Sequence, residues 1–204
     1  MVEFALVTPI LLMLVVMVAD FGRVFAASLS IEAASRNAAE AIANAYLANP
    51  PGPLSAAAPA GITTYYQGLH ALGVHTLCDE MSDQANTAYD ASTSTCPGMP
   101  LIRICIHDGQ DTECSAEAQG AAIPAECTDL GSAMTNANAG ASSPRWTEVR
   151  VCYRFTPIAA NMPFLSFADI WLQRGRAFTI PCYFVLGSTE CGWQRRVDGA
   201  ADRP

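Results

Sequence analysis

The chain begins with a long stretch in which the apolar and polar positions follow a helical interval. Residues 4–19 are sixteen successive uncharged residues, and the Ala-rich stretch after them contains no proline before Pro50. In that stretch an apolar set and a charged set each recur at every fourth position: Phe21, Phe25 and Leu29, and Glu32, Arg36 and Glu40. Positions four apart share one face of an α-helix, so the pattern predicts one helix from the start of the chain to Asn49.

A membrane alone does not account for the length of this helix. At ~1.5 Å per residue it extends over ~70 Å, whereas the hydrocarbon core of a bilayer is ~30 Å thick. Pro9 removes one helical hydrogen bond near the start and is expected to kink the helix. The half of the helix beyond the apolar run is therefore expected to project and to pack against another surface.

The apolar run has two competing interpretations. A membrane-spanning helix needs about 20 apolar residues, a length that is reached if the run continues to Ala26. A cleaved secretory signal is the alternative, because residues 24–26, V-F-A, resemble a cleavage site. A signal peptide starts with positive charge, whereas the first charged side chain here is the acidic Glu3. The pattern therefore favours the membrane helix.

The carboxylate of Glu3 lies at the edge of the apolar run, where it needs either water or a cation. A carboxylate inside a membrane costs roughly 2.5 to 3.5 kcal/mol on insertion scales unless it is paired or lies at the interface. Two roles remain open for Glu3. It is either solvated among lipid headgroups or paired with the ammonium group of a partner.

The segments after the helix predict a small head domain. Residues 50–61, P-P-G-P-L-S-A-A-A-P-A-G, have the composition of a connector. Residues 63–77 predict a short helix, and residues 78–100, rich in Ser, Thr, Asp and Asn, predict a long loop. The predicted organisation is thus a helix over 1–49, a connector over 50–61 and a head over 62–204.

Three segments of the head predict β-strands. Apolar and polar residues alternate in L-I-R-I-C-I-H (101–107) and in E-V-R-V-C-Y-R-F (148–155), and each strand therefore has one apolar face. A third strand is predicted over 176–184, where Pro181 favours a sheet edge or a bulge. Residues 108–147 form a long excursion between the first two predicted strands, and a connection of this length needs covalent links to the rest of the head to be ordered. The predicted fold class is α+β, a long N-terminal helix followed by a small antiparallel sheet with disulfide-stapled loops.

The cysteines predict an oxidising compartment. All eight lie after residue 77, and an even number confined to one region is typical of a disulfide framework. Cys105 and Cys152 lie on the polar sides of their strands, so we expect them to bridge the two strands. Proximity in sequence is a weaker guide and suggests the other pairs: Cys78 with Cys96, Cys114 with Cys127 and Cys182 with Cys191.

Composition and motifs argue against nucleic-acid binding and catalysis. The net charge is −8, from 11 basic and 19 acidic residues, which opposes binding to a phosphate backbone. The chain has no C-x-x-C pair, no H-E-x-x-H, no G-x-S-x-G and no phosphate-binding glycine loop. We therefore predict no cofactor, no metal site and no catalytic residue, and we expect a structural protein and not an enzyme.

Two motifs at the ends of the apolar run resemble a known family. V-E-F-A-L-V-T-P-I-L-L (2–12), followed by A-D-F-G-R (19–23), resembles the TadE-like pilins of tight-adherence systems, a branch of type IV pili. E-V-R-V-C-Y-R-F-T-P (148–157) is similar to the strand and Pro turn of that family. The implied fold is a pilin-like helix that carries a small head.

The resemblance also implies how the chain is processed and assembled. A prepilin peptidase cuts the precursor, and the pilus assembly machinery moves the subunit from the inner membrane into a cell-surface filament. Glu3 would pair with the N-terminal amine of a neighbouring subunit, although the family's glutamate lies two residues further from the mature N-terminus. The other residues assigned to assembly are Phe4, Pro9, Asp20 and Arg23.

Two functional hypotheses remain open. The first is a filament-forming pilin, major or minor, whose partners are copies of itself or other pilins and whose expected use is adhesion. The second is a monomeric, membrane-anchored binding domain or adhesin in which the helix only tethers the head. The Ala-rich continuation over residues 20–48 favours the first hypothesis, because a simple anchor has no need of it.

Overall fold

In the residues that the structure describes, two helices pack on one antiparallel sheet. The computed structural model describes residues 2–49, 60–82, 89–90, 95–96, 98–108, 112–118, 123–128, 130, 145–158 and 169–180. The elements are α1 (Val2–Ala48), α2 (Ala60–Glu80), β1 (Leu101–His107), β2 (Thr112–Ala118), β3 (Trp146–Phe155) and β4 (Ile170–Thr179). The predicted α+β class, with a long N-terminal helix and a small antiparallel sheet, is confirmed.

The first helix has the predicted length. It is continuous from Val2 to Ala48 and runs through Pro9 without interruption. The amide of Asn49 still donates to the Ala45 carbonyl at 3.3 Å. The next residue, Pro50, has no N–H to donate and disfavours the helical conformation in the residue before it, so the helix stops here as predicted.

The sheet has the strand order β2-β1-β3-β4, with antiparallel neighbours throughout. The predicted alternation is confirmed in β1 and β3, whose apolar face packs against the helices through Ile102, Ile104, Ile106, Val149, Val151, Tyr153 and Phe155. The hydroxyl of Thr147, on the same face, donates to the Ala39 carbonyl of α1 at 2.7 Å. This bond joins the centre of the sheet to the first helix.

The outer half of α1 packs against the head of its own chain. Its buried face is mostly alanine, and the alanines at 27, 34, 38, 39 and 43 are almost fully buried with Ile31, Ile42 and Tyr46. Small side chains let α2 and the sheet approach the helix closely. At Gly73 of α2, an added Cβ would lie 2.6 Å from Ile42 Cδ1 and 2.8 Å from Ile104 Cδ1. The surface that α1 was expected to need is therefore internal.

Three predicted elements have other bounds in the structure, and one of them, the strand predicted over 148–155, begins two residues earlier as Trp146–Phe155. The second helix, predicted over 63–77, extends over Ala60–Glu80 and includes the last two residues of the predicted connector. The third predicted strand, 176–184, is displaced, because the strand is Ile170–Thr179. Most side chains of this strand are exposed, so the polar residues Q-R-G-R at 173–176 are compatible with it.

One strand was not predicted. β2 (Thr112–Ala118) lies within the excursion over 108–147 and pairs with β1 along its whole length. Its sequence, T-E-C-S-A-E-A, contains no β-branched apolar residue and so carries no strand pattern. The excursion is therefore partly a hairpin.

Three disulfides connect described cysteines: Cys78–Cys96, Cys105–Cys114 and Cys127–Cys152. The first is the predicted pair. The predicted bridges Cys105–Cys152 and Cys114–Cys127 are wrong. The remaining predicted pair, Cys182–Cys191, lies outside the described residues.

The strand register explains the wrong pairings. Cys105 lies opposite Glu148 of β3, whereas Cys152 lies opposite Leu101. The two cysteines are therefore four positions apart along the ladder, about 13 Å, beyond the reach of a disulfide. Cys105 instead lies opposite Cys114 of β2, at a Cα–Cα distance of 4.1 Å.

The second face of the sheet is covered by a loop that a disulfide holds in place. A 3-10 turn at Ala125–Cys127 is bonded to β3 through Cys127–Cys152. Leu130 packs with Leu101, Cys127 and Cys152 in a small apolar cluster, and the Arg150 guanidinium donates to the Leu130 carbonyl at 2.6 Å. This loop shields the face opposite the helices from water.

A buried polar cluster lies where the end of α1 meets the start of β3. Arg145 Nη1 donates to the Tyr46 hydroxyl oxygen at 2.7 Å. Burial lowers the pKa of Arg145 and raises the pKa values of Tyr46 and Tyr66, while burial together with Tyr46 raises the pKa of Tyr65 to about 12. The three phenols are therefore neutral at physiological pH, and only the guanidinium carries charge among these groups.

Candidate functional site

The first part of α1 carries apolar surface on all sides. Residues 7–19 are exposed or half-buried at every position. This helix is long and apolar enough to cross a membrane, and the uncharged run 4–19 covers ~24 Å at ~1.5 Å per residue. Such a surface is unfavourable in water and needs lipid or protein around it.

An apolar stripe continues along α1 beyond this run. Phe21, Phe25 and Leu29 are exposed by 75%, 59% and 52%. Gly22 lies beside them, and a Cβ built there would meet no atom within 4 Å. The predicted apolar set is thus on the outward face of α1, where it extends about 13 Å past Asp20.

The charged set lies further along α1, beside the free edge of β4. Glu32, Arg36 and Glu40 line a groove of about 620 Å³ between the helix and Arg176 of β4. The Arg176 guanidinium is ion-paired with Glu32, and the Arg174 guanidinium donates to the Ser28 hydroxyl at 3.1 Å. These two contacts tie β4 to α1.

Asp20 and Arg23 form a joint between the helix and the head. The buried Asp20 carboxylate accepts from the Ile158 backbone amide at 2.8 Å and from the Arg23 guanidinium at 3.2 Å. The Arg23 guanidinium carbon lies 5.2 Å from the centre of the Phe155 ring. Burial raises the pKa of Tyr153, and the charge of Arg23 opposes that shift. These contacts give both residues a structural role within one chain, and their assembly role stays a prediction.

Asp20→Ala is expected to loosen this joint. The variant leaves the part-buried Ile158 amide without its carboxylate partner, and a hydrogen bond to a charged group contributes about 1.5–3 kcal/mol. Hydrogen exchange at Ile158 should therefore become faster, by roughly 10- to 150-fold if the loss is local. Asp20→Asn keeps an acceptor oxygen and should show a smaller increase. Equal exchange in the wild-type chain and Asp20→Ala would contradict the joint.

The other predicted assembly residues lie in the first three turns of α1. Glu3 and Phe4 are helical, but their side chains lie outside the described residues. Pro9 is helical and exposed. The structure therefore places Glu3, Phe4 and Pro9 together at the end of the helix remote from the head, and it tests no contact among them.

Two residues of the joint were not predicted. Phe155 was assigned to the apolar face of its strand, but nothing linked it to Arg23. Ile158 takes part through its backbone amide, which has no signature in the sequence. The only signal is the T-P pair at 156–157, which marks the end of β3 next to this contact.

The histidines near cysteines have partners other than thiols. His75 Nδ1 lies 3.0 Å from the Asp79 carboxylate, and His107 Nδ1 lies 2.9 Å from the Thr112 hydroxyl while its ring stacks on Trp146. Within the part of the chain that the structure describes, no three His, Cys, Asp or Glu side chains are grouped closely enough to hold a metal ion.

The fold and the exposed helix together define a class of protein, one in which a single N-terminal apolar helix capable of anchoring in a membrane carries a compact α+β head. A family model described as TadE-like protein matches residues 1–40. The match includes the apolar run, the joint residues of α1 and the apolar stripe, and it agrees with the resemblance in the sequence. The chain fits a Tad pilus-related protein. The curated proteins and the solved structures gave no match.

Proposed function

We propose that this chain is a structural pilin subunit that assembles through its N-terminal helix into a type IV, Tad-type filament on the cell surface. Before assembly, α1 holds the subunit in the inner membrane. The partners in the filament are copies of the same chain or other pilins, and adhesion is the proposed use of the filament. This role is structural and involves no catalysis.

The observation that carries the proposal is the outward apolar stripe of Phe21, Phe25 and Leu29. These side chains lie beyond the first charged residue after the apolar run, so a bilayer around residues 4–19 does not cover all of them. In the part of the chain that the structure describes, the head buries the opposite face of the helix. A neighbouring helix would cover the stripe, and Gly22 beside it permits a close approach.

A second candidate, the membrane-anchored monomeric binding domain, is favoured by a different observation. The Ala-rich part of α1 is buried against its own head, so its length needs no neighbouring subunit. The length of α1 therefore does not separate the two candidates. The outward stripe favours the filament, because a monomer would leave Phe25 and Leu29 without a cover beyond the membrane edge.

Phe25→Asp is expected to prevent filament formation. The charge would lie in the centre of the stripe, and burying an unpaired carboxylate against a neighbouring helix is strongly unfavourable. The measurement is electron microscopy of material sheared from the surface of cells that produce the full chain. We expect filaments from the wild type and none from Phe25→Asp.

The matched control is Leu72→Asp on α2. Leu72 is 37% exposed and lies away from the outward face of α1, so its substitution should leave filaments at normal yield. Filaments of normal yield from Phe25→Asp would exclude the stripe as an assembly surface. A wild-type chain that occurs only as monomers in the membrane would favour the second candidate.

A further inference from the structure

Two of the four large apolar side chains that are exposed outside α1 in the described residues lie at one end of the sheet. Of the fifteen large apolar residues described as exposed, eleven lie on α1 between residues 7 and 29. Two of the other four are Ile158, 46% exposed, and Ile170, 40% exposed. With Phe21 of the helix, they make up what we call the basal rim: Phe21, Ile158 and Ile170.

Contacts on β3 and β4 place the basal rim at the level of Asp20. The Ile158 amide donates to the Asp20 carboxylate at 2.8 Å, and Ile170 pairs with Phe155 at the end of the β3–β4 ladder. β4 also runs alongside α1 in the same direction, since Arg174 contacts Ser28 and Arg176 contacts Glu32.

The rise per residue of a strand and that of a helix place Ile170 at the same level by an independent route. Two strand residues rise ~6.6 Å and four helical residues ~6 Å, which agrees with β4 lying nearly parallel to α1. From Arg174 back to Ile170 the strand descends ~13 Å, the rise of about nine helical residues. Counted back from Ser28, this distance reaches α1 beside Asp20 and Phe21.

Asp20 also marks the edge of the membrane-embedded part of the helix. It is the first charged residue after the uncharged run 4–19, and a charge favours the interface over the hydrocarbon core. The basal rim therefore lies where the hydrocarbon ends and the headgroups begin. The head therefore begins at the edge of the membrane, because Asp20 both follows the uncharged run of α1 and bonds to the Ile158 amide of the head.

We propose that the basal rim is a lipid-binding surface that seats the head in the headgroup layer of the membrane crossed by α1. The charged residues described at this level are paired within the chain, Asp20 with Arg23 at 3.2 Å and Arg154 with Asp169 at 2.8 Å. The rim therefore contacts lipid through apolar side chains and does not need anionic headgroups. This inference rests on the membrane insertion in the proposed function and is independent of filament assembly.

Photocrosslinking from single positions tests this surface. The full chain is reconstituted into vesicles of phosphatidylcholine alone, with a benzophenone amino acid at 158, 170, 15 or 72. Val15 lies within the apolar run and is the positive control for insertion. Leu72 is the negative control, because it has similar exposure but adjoins Gly73, which contacts Ile42, about 30 Å along α1 from Asp20.

Light should produce covalent lipid adducts at 158 and 170 with yields several-fold above that at 72. An adduct at 15 without adducts at 158 and 170 would overturn the lipid contact and leave membrane insertion intact. No adduct at 15 would overturn both. Adducts at 158 and 170 that form only after anionic lipid is added would overturn the apolar basis of the contact.

Discussion

Glu3→Ala is expected to abolish filament assembly while the head remains folded. We propose that the Glu3 carboxylate meets the N-terminal amine of a neighbouring subunit among apolar helices, where a charge-assisted hydrogen bond is strong. Without the carboxylate, one ammonium group per contact stays unpaired. On insertion scales an unpaired charge costs roughly 2.5 to 3.5 kcal/mol, a factor of roughly 10² in each subunit contact.

The measurement is the yield of sheared filaments, compared with the amount of chain in the membrane. Glu3→Gln keeps the shape of the side chain and removes its charge, so it should fail in the same way. Glu3→Asp keeps the charge and should retain part of the yield. The head is more than 16 residues away from Glu3 along α1, and its disulfides should form in each variant. Filaments of normal yield from Glu3→Ala would reject the pairing.

The parts of the fold that were predicted correctly have a strong local pattern. The helix α1 has apolar and charged sets at every fourth position, and it ends before Pro50. β1 alternates Ile102, Ile104 and Ile106 with polar residues, and its bounds were predicted to the residue. In β1 the isoleucines pack on the helices, so burial imposes a period of two on the sequence. In α1 the patterned apolar set lies on the outward face, and its spacing of four marks the side of the helix opposite the buried alanines.

The two edge strands could not be predicted in the same way. Among the described residues each edge strand has a neighbour on one side only, and most described side chains of β4 are exposed. Few positions of β4 therefore have to be apolar, and Q-R-G-R at 173–176 shows no alternation of apolar and polar residues. For β2, T-E-C-S-A-E-A is equally uninformative. The failure to predict β2 also caused the wrong disulfide pairing, because β2 supplies the partner of Cys105.

At the candidate site, the sequence predicted the apolar stripe of α1 and missed both its exposure and the contacts of the other residues. The spacing of Phe21, Phe25 and Leu29 predicted an apolar face of α1, and all three are exposed on it. The partner of Asp20 is a backbone amide 138 residues away in sequence. The chain folds that amide into place through the β3 ladder, and a contact of this kind depends on the tertiary structure alone.

Removal of the Cys127–Cys152 bridge is expected to cause the largest loss of stability among the disulfides described. Its sequence separation is 25, against 18 for Cys78–Cys96 and 9 for Cys105–Cys114. If a bridge stabilises by restricting the unfolded chain, these loop lengths correspond to about 3.5, 3.2 and 2.6 kcal/mol. The structure adds a second reason, because this bridge is the covalent link between the covering loop and β3, whereas Cys105 and Cys114 remain neighbours through the ladder of β1 and β2.

The double variant Cys127→Ala/Cys152→Ala should therefore unfold roughly 10 °C below the wild-type chain, at about 2–4 °C per kcal/mol for a domain of this size. The matched control, Cys105→Ala/Cys114→Ala, removes a bridge that closes a shorter loop, so it should show a smaller decrease in Tm. Thermal unfolding of the full chain in detergent measures both. Hydrogen exchange in residues 123–128 and 130 should increase in the first variant only, because without the bridge the loop is held by noncovalent contacts: the Leu130 cluster, the Arg150 hydrogen bond and a hydrogen bond from Gln173 to the Glu126 carbonyl. A larger decrease in Tm for the Cys105–Cys114 variant would show that the hairpin, and not the covering loop, depends most on its bridge.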